Sequence, residues 1–236
     1  MVFMHFNLAK EVKIMKKHRK ITTGKKVRMR LKSTIKRMQK QIDALRAKSG
    51  EGATGSIAAY KMKPPSAAMI YGSELHAVQG HVLRYPDLET GGSLYGWYSE
   101  TGLPIIALAT GPGRNAMHGA TRFHADEQYS LEIGHKMINH GLQHVGEWHS
   151  HHTLGLAQPS EIDCRAMKAA LSGSKARRFL CGIANIVGDK VTLNLFFFSA
   201  EAGLEYTGMP LVVREGESPM RTGLAKVLEM FEQKGE

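Results

Sequence analysis

The segment Gly146–Cys164, with the sequence GEWHSHHTLGLAQPSEIDC, is the part of this chain from which its fold and chemistry are inferred. His149 and His151 lie two residues apart, so their side chains point to the same face if the segment forms a strand. Asp163 follows a loop and lies in the predicted first turn of a helix. Two imidazoles and one carboxylate, with a fourth position left open, are a ligand set of catalytic zinc sites. The sequence therefore predicts that His149, His151 and Asp163 bind one Zn2+ ion.

Ser160 lies three residues before Asp163 and allows two interpretations. A Ser-x-x-Asp sequence is a helix-capping pattern, in which the serine side chain bonds to the backbone of the first turn. A serine hydroxyl beside a metal is also placed to donate a hydrogen bond to the oxyanion that develops on a scissile carbonyl. The two roles are compatible, because the start of a helix can fix the direction of a ligand.

These residues, in this order, resemble the JAMM (MPN+) motif of metalloproteases, which reads His-x-His, a short loop and Ser-x-x-Asp. The flanking sequence GEWHSHH and the pair Pro159–Ser160 are most similar to the bacterial branch of that family. The resemblance implies a zinc-dependent hydrolase that cleaves the peptide or isopeptide bond after the C-terminus of ubiquitin or a ubiquitin-like protein. It also implies that a ubiquitin-like protein or its conjugates, together with E1-like and E2-like conjugation enzymes, are the partners.

The loop between the second histidine and the serine departs from the family pattern. It has eight residues here, 152–159, where the family usually has seven, and His152 stands where the family often has proline. The Ser-x-x-Asp spacing is unchanged, so we expect the extra residue to bulge in the loop. The departure therefore concerns the substrate contacts of the loop more than the metal. We expect neither His152 nor His144 to be a ligand.

Glu89 lies in a second motif, DLETGGSLYG at residues 87–96. The family places its general base in the pattern Glu-x-Gly-Gly-x-Leu-x-Gly, just ahead of a glycine-rich strand, and all five positions match here. The resemblance therefore implies that Glu89 is the general base and Ser160 the oxyanion donor. Taken without the resemblance, Glu89 is one of 21 acidic residues and carries no distinguishing signal.

Glu147 is the competing candidate for the base, since it shares a strand face with both histidines. A role in orienting an imidazole is the interpretation that we favour for it. Trp148 points to the opposite face and is predicted to be part of the core. Two cysteines in 236 residues do not form a disulfide framework, so Cys164 and Cys181 are predicted to be reduced packing residues and not nucleophiles.

The order of predicted elements indicates an α/β fold with a sheet covered by helices on both faces. Strands are expected at residues 94–98, 103–110, 145–151, 178–187, 190–199 and 204–213, the fourth and fifth forming a hairpin at Gly188-Asp189. Helices are expected at residues 126–140, 161–171 and 220–233, and residues 67–82 are expected to form a strand or a short helix ending near Gly80. The resemblance, which spans residues 67–236, implies a JAB/MPN-type mixed β-sheet flanked by helices, with cytidine-deaminase-like layering.

The N-terminal part of the chain differs sharply in charge from the rest. Residues 1–50 contain 16 of the 32 lysines and arginines but only two of the 21 acidic residues, which gives +14 there and −3 in the remainder. An apolar seam predicts a helix over residues 25–48, and the glycine- and serine-rich residues that follow are typical of a flexible linker. We therefore expect a basic N-terminal extension at 1–65 and a JAMM metalloprotease domain at 66–236.

Three interpretations of the basic extension stay open. It could be a solvated helix that docks on its own domain or on a second copy, or an arm that binds nucleic acid or another acidic partner through residues 1–50. Attraction to an anionic membrane surface is the third interpretation. No sequence motif of an RNA- or DNA-binding module is present.

Composition bounds the remaining function classes. No apolar run approaches the ~20 residues of a transmembrane helix, and the first residues lack the order of a signal peptide. We therefore expect a cytoplasmic protein. Two alternatives to the enzyme remain, a non-catalytic MPN-type scaffold and a nucleic-acid-associated protein that uses the basic arm.

Overall fold

The computed structural model describes residues 64–173, 176–202 and 205–232. The strands are β1 (Ala68–Tyr71), β2 (Gly91–Tyr98), β3 (Pro104–Ala109), β4 (Met117–His118), β5 (Phe123–His124), β6 (Gln143–Ser150), β7 (Arg178–Val187), β8 (Lys190–Ser199), β9 (Tyr206–Met209) and β10 (Leu211–Arg214). The helices are α1 (Gly72–Arg84), α2 (Glu127–Asn139), α3 (Glu161–Gly173) and α4 (Pro219–Glu232). The predicted basic helix at 25–48 and its linker up to residue 63 lie outside the described residues.

Strand β6, which carries the first predicted ligand, lies inside an eight-stranded sheet. The strand order is β10-β1-β3-β2-β6-β7-β8-β9, while β4 and β5 form a separate two-stranded hairpin. β6 pairs antiparallel with β2 and parallel with β7. The sheet is therefore mixed, as the family resemblance implied.

Helix α1 packs on one face of this sheet. Val78 and Val82 of α1 are fully buried, and they join a core that includes Leu94 and Trp148. Complete burial of a valine side chain contributes about 1.5–3 kcal/mol. α1 contacts β1 and β10 near one end of the sheet as well as β7 and β8 near the other. The sheet is therefore curled around α1.

The other three helices cover the opposite face. Ile133 and Met137 of α2 pack in one cluster with Leu224 and Leu228 of α4. Met167 of α3 lies in a second cluster on β7 and β8. The expectation of helices on both faces is thus confirmed. Within the described part of the chain, no helix is long and apolar enough to cross a membrane.

The segment predicted as one strand at residues 204–213 is divided in the structure. β9 pairs antiparallel with β8, whereas β10 pairs parallel with β1 at the far end of the sheet. Pro210 separates the two strands; it has no N–H to donate, and its carbonyl accepts a hydrogen bond from the Ala68 N–H at 2.9 Å. A single extended segment therefore joins both ends of the curled sheet.

The segment at residues 67–82 also differs from its prediction, since it contains both a strand and a helix. β1 runs directly into α1, and α1 continues past Gly80 to Arg84. Gly80 lies on the exposed side of the helix, where a glycine costs only about 1 kcal/mol relative to alanine. Burial of Val78 and Val82 on the other side keeps the helix intact.

Candidate metal centre

His149 is positioned by its place on β6. It lies opposite Gly91 of β2 and Ile183 of β7, and its side chain is buried. The neighbouring Trp148 points to the α1 side, is 1% exposed and donates its indole N–H to the Thr110 carbonyl at 3.0 Å. This confirms that Trp148 belongs to the core. Because successive side chains of a strand point to opposite faces of the sheet, His149 points to the face that α3 covers.

His151 follows the end of β6 and is held at two points. Its backbone N–H donates to the Ala184 carbonyl at 2.8 Å, and its Nδ1 lies 2.7 Å from the Leu156 carbonyl oxygen. Because a carbonyl can only accept, Nδ1 carries the proton in this bond. The bond therefore leaves the Nε2 lone pair of a neutral His151 for a metal ion.

Asp163 lies in the first turn of α3 and completes the group. Its Oδ2 lies 3.5 Å from His149 Nε2 and 3.7 Å from His151 Nε2, and the two Nε2 atoms are 3.0 Å apart. Ligands at about 2.0–2.1 Å from a tetrahedral ion are separated by roughly 3.3 Å, so these spacings suit zinc. All three residues are buried, and the structure brings together the three predicted ligands.

The electrostatics of Asp163 also fit a cation. Burial acts to raise the pKa of this carboxyl, but the two imidazoles and the Ser160 backbone N–H stabilise the anion and hold its pKa well below the usual range. Its Oδ1 is buried and has no hydrogen-bond partner among the described residues. A buried carboxylate oxygen without a donor is costly unless a cation is nearby. The orphaned oxygen therefore supports a metal at this site.

Ser160 forms the helix cap that its spacing predicted. Its N–H and its hydroxyl both donate to Asp163 Oδ2, at 2.7 and 2.8 Å, and its Oγ accepts from the Asp163 N–H at 3.2 Å. This reciprocal arrangement orients the carboxylate that faces the histidines. The additional role as an oxyanion donor stays a prediction.

Glu89 lies two residues before the start of β2 at Gly91, beside the end of β6. Two hydrogen bonds connect the strands here: the Ser150 N–H donates to the Thr90 carbonyl at 2.7 Å, and the Thr90 N–H donates to Ser150 Oγ at 3.0 Å. Burial raises the pKa of the Glu89 carboxyl, although the imidazoles of His149 and His151 act in the opposite direction. The structure thus places the predicted base within electrostatic reach of the predicted ligands.

Glu147 lies on the same face of β6 as His149, between Ser93 of β2 and Cys181 of β7. Burial raises the pKa of Glu147 to about 7. Cys164 and Cys181 are buried free thiols whose pKa values are raised by burial, which suits the predicted packing role.

The two histidines that were expected not to be ligands lie apart from the group. His152 has a positive φ of 38°, and its Nε2 donates to the Ala120 carbonyl at 2.8 Å. His144 packs against Tyr95 and Phe179. Neither belongs to the cluster of potential ligands found in the described residues.

Two further residues near the site make contacts that the sequence analysis does not predict. Asn185 of β7 is 2% exposed, and its Nδ2 donates to the Leu156 carbonyl at 3.3 Å, the same oxygen that fixes His151. Its presence in the apolar run RFLCGIANIV was a signal that could have been used. His118 bonds to the backbone of Glu89, and nothing in the sequence around it indicates this contact.

Comparisons with known proteins place this chain in a family. Residues 73–197 match the family described as prokaryotic homologs of the JAB domain. A probable metalloprotease of Sinorhizobium fredii is 26% identical over 127 residues, which cover 50% of this chain and 77% of that protein. A CD-NTase/cGAS isopeptidase of Enterobacter hormaechei is 36% identical over 87 residues, which cover 36% of this chain and 48% of the relative.

The fold also has a counterpart among solved structures. The solution structure of a Desulfitobacterium hafniense protein superposes with a TM-score of 0.51, and the match covers 64% of this chain and 94% of that one. At 15% sequence identity this likeness concerns the fold alone.

Proposed function

Because the chain belongs to the family of prokaryotic JAB-domain homologs, we propose that it is a zinc metallopeptidase of the JAMM type. The bond that it hydrolyses follows the C-terminus of a ubiquitin-like protein and is a peptide bond in a precursor or an isopeptide bond in a conjugate. The observation that carries this proposal is the convergence of His149, His151 and Asp163 in one buried group. The relatives named a metalloprotease and an isopeptidase support a hydrolase of this type.

His149, His151 and Asp163 would hold the metal. Hydrogen bonds within the chain orient two of these ligands, His151 and Asp163. The Leu156 carbonyl fixes His151, and Ser160 fixes Asp163. A bound zinc ion lowers the pKa of water and polarises a carbonyl group. In this proposal the fold directs one ligand atom of each residue, the Nε2 atoms of His149 and His151 and Oδ2 of Asp163, toward a common metal position.

Glu89 takes the proton of the attacking water on its carboxylate and passes it to the amine that leaves. A base is most effective when its pKa lies near the working pH, and burial of Glu89 moves its pKa in that direction. Ser160 donates its hydroxyl hydrogen to the oxyanion that forms on the scissile carbonyl. To do so, the hydroxyl turns away from Asp163 Oδ2, while the Ser160 N–H keeps its bond to that oxygen.

The substrate tail would lie extended along a strand edge near the site, which is how many peptides bind to sheets. The isopeptidase relative supports conjugates of a ubiquitin-like protein as substrates. E1-like and E2-like enzymes as partners of the same system follow only from the resemblance of the motif. The names of the relatives do not support nucleic acid as a partner. The non-catalytic scaffold is disfavoured because none of the expected ligands is missing.

The experiment combines zinc content with cleavage of a ubiquitin-like protein that carries a C-terminal extension. Wild type, Glu89→Gln and the control Asp87→Asn are compared, since Asp87 is an exposed acid two residues from Glu89. We expect about one zinc per chain in all three, and a fall in kcat of about 10²–10⁴ in Glu89→Gln alone.

Each alternative result is informative. If wild type binds no zinc, the ligand assignment is wrong. If zinc binds and Glu89→Gln cleaves as fast as wild type, the base is another residue. If zinc binds and wild type cleaves ordinary peptides but no ubiquitin-like fusion, the metallopeptidase stands and the proposed substrate class is wrong.

A further inference from the structure

The segment that carries Glu89 has no regular secondary structure of its own. It connects the end of α1 at Arg84 to the start of β2 at Gly91. Its backbone is instead bonded on both sides of Glu89 to the β4–β5 hairpin: the Glu89 N–H donates to the Gly119 carbonyl at 2.8 Å, and His118 Nδ1 donates to the Glu89 carbonyl at 3.0 Å. From this arrangement we propose that His118 is a positioning residue for Glu89. The inference rests on the function proposed above.

His118 is itself held in place by aromatic contacts. Its ring stacks on Tyr85 with 3.8 Å between ring centroids and 11° between planes, and it contacts Phe123 at 5.6 Å. Phe123 packs against the start of β2, where a Cβ added at Gly91 would lie 2.7 Å from the ring. The imidazole therefore connects the α1 end, the hairpin and the base segment.

The same hairpin bonds to the segment that follows the histidine ligands. His152 Nε2 donates to the Ala120 carbonyl at 2.8 Å, one residue from the Gly119 carbonyl that accepts from Glu89. Two consecutive carbonyls of the hairpin turn thus bond to the base segment and to the ligand segment. The hairpin sets the position of the Glu89 carboxylate relative to His149 and His151. His118 contributes the side-chain hydrogen bond that ties the hairpin to the Glu89 backbone.

The test uses full-length protein and three variants. His118→Ala removes the donor, and His118→Asn keeps an N–H near the position of Nδ1. His124→Ala is the matched control, because His124 lies on the other strand of the hairpin and has no side-chain bond to Glu89 within the described residues. The measurements are zinc content, kcat and KM on the ubiquitin-like fusion, and hydrogen exchange of the Glu89 amide.

We expect His118→Ala to bind zinc normally and to lose about 10–100-fold in kcat with KM within about twofold, because a base displaced by 1 Å costs rates of this order. Exchange of the Glu89 amide should be about tenfold faster, as expected for a weakened local bond. His118→Asn should recover most of kcat and of the protection, and His124→Ala should match wild type.

The proposal is overturned if His118→Ala keeps both kcat and amide protection, or if His118→Asn is as impaired as His118→Ala. Should His118→Ala fail to fold, Tyr85→Ala removes the stacked ring instead, and unchanged kcat and exchange in that variant would equally overturn it. The exchange measurement needs no substrate. If wild type proves inactive, the proposed function fails while exchange still decides whether His118 orders Glu89.

Discussion

His151 Nδ1 donates to the Leu156 carbonyl oxygen across 2.7 Å. Leu156 belongs to the loop 152–159, which is one residue longer than the family usually has, and it therefore fixes the ring of a proposed metal ligand. Asn185 Nδ2 donates to the same oxygen at 3.3 Å from β7. The loop thus orients a residue of the candidate metal site, and Asn185 connects the loop to the sheet.

Loss of the Asn185 amide is expected to weaken zinc binding. In Asn185→Ala the Leu156 carbonyl keeps only the His151 donor, and removal of such supporting bonds reduces metal affinity by about 10–100-fold. Because the Asn185 bond is long, we expect about tenfold, the lower end of that range. Competition with a chromophoric chelator measures this. Asn194→Ala on the adjacent strand β8 is the control, and equal affinities in both variants would contradict the prediction.

Zinc should stabilise the protein against unfolding through Asp163. Binding to the folded state alone contributes about 4 kcal/mol when free zinc is 1,000-fold above Kd. For a domain of this size each kcal/mol raises Tm by about 2–4 °C. Wild type stripped of metal should therefore gain about 8–16 °C in Tm on zinc addition. Asp163→Asn should show little gain, whereas Asp189→Asn, in the exposed turn after β7, should match wild type.

Ser160 is expected to affect both stability and rate. Loss of the cap in Ser160→Ala costs about 1 kcal/mol in the free energy of unfolding. Loss of an oxyanion donor lowers kcat by about 10²–10³. Ser160→Thr keeps the hydroxyl and should retain most of both properties. A variant Ser160→Ala that is destabilised but turns over normally would leave Ser160 as a cap only.

Glu147 should make the stability of the protein fall as pH rises. Its pKa is raised from 4.5 to about 7 in the folded state, so the unfolded chain ionises first and the free energy of unfolding decreases between these pH values. Since the residue is partly accessible, we expect a loss of about 1–3 kcal/mol over this range. Denaturant unfolding at pH 4.5, 6 and 7.5 measures it. Glu147→Gln should remove this part of the pH dependence; an unchanged slope would contradict the assignment.

The proximity of His149, His151 and Asp163 was predictable because it depends on local patterns. Two residues two apart on a strand share a face, and Ser160 marks where α3 begins. Burial of Trp148 on the opposite face follows from the same alternation.

Other features depend on partners that are distant in sequence. The division between β9 and β10 at Pro210 follows from pairing with β8 on one side and β1 on the other, which alternation within residues 204–213 does not reveal. The bond from His118 to the Glu89 carbonyl spans 29 positions and depends on the β4–β5 hairpin lying beside the Glu89 segment. Such contacts become visible only when tertiary structure is known.

The connection of β9 to β10 through Pro210 has a consequence for local unfolding of the sheet. In most open sheets a terminal strand can fray while the other end stays folded. Here a single residue, Pro210, connects the end strands β9 and β10. Detachment of one strand from its partner therefore displaces the other strand as well. We therefore expect both ends of the sheet to lose amide protection together.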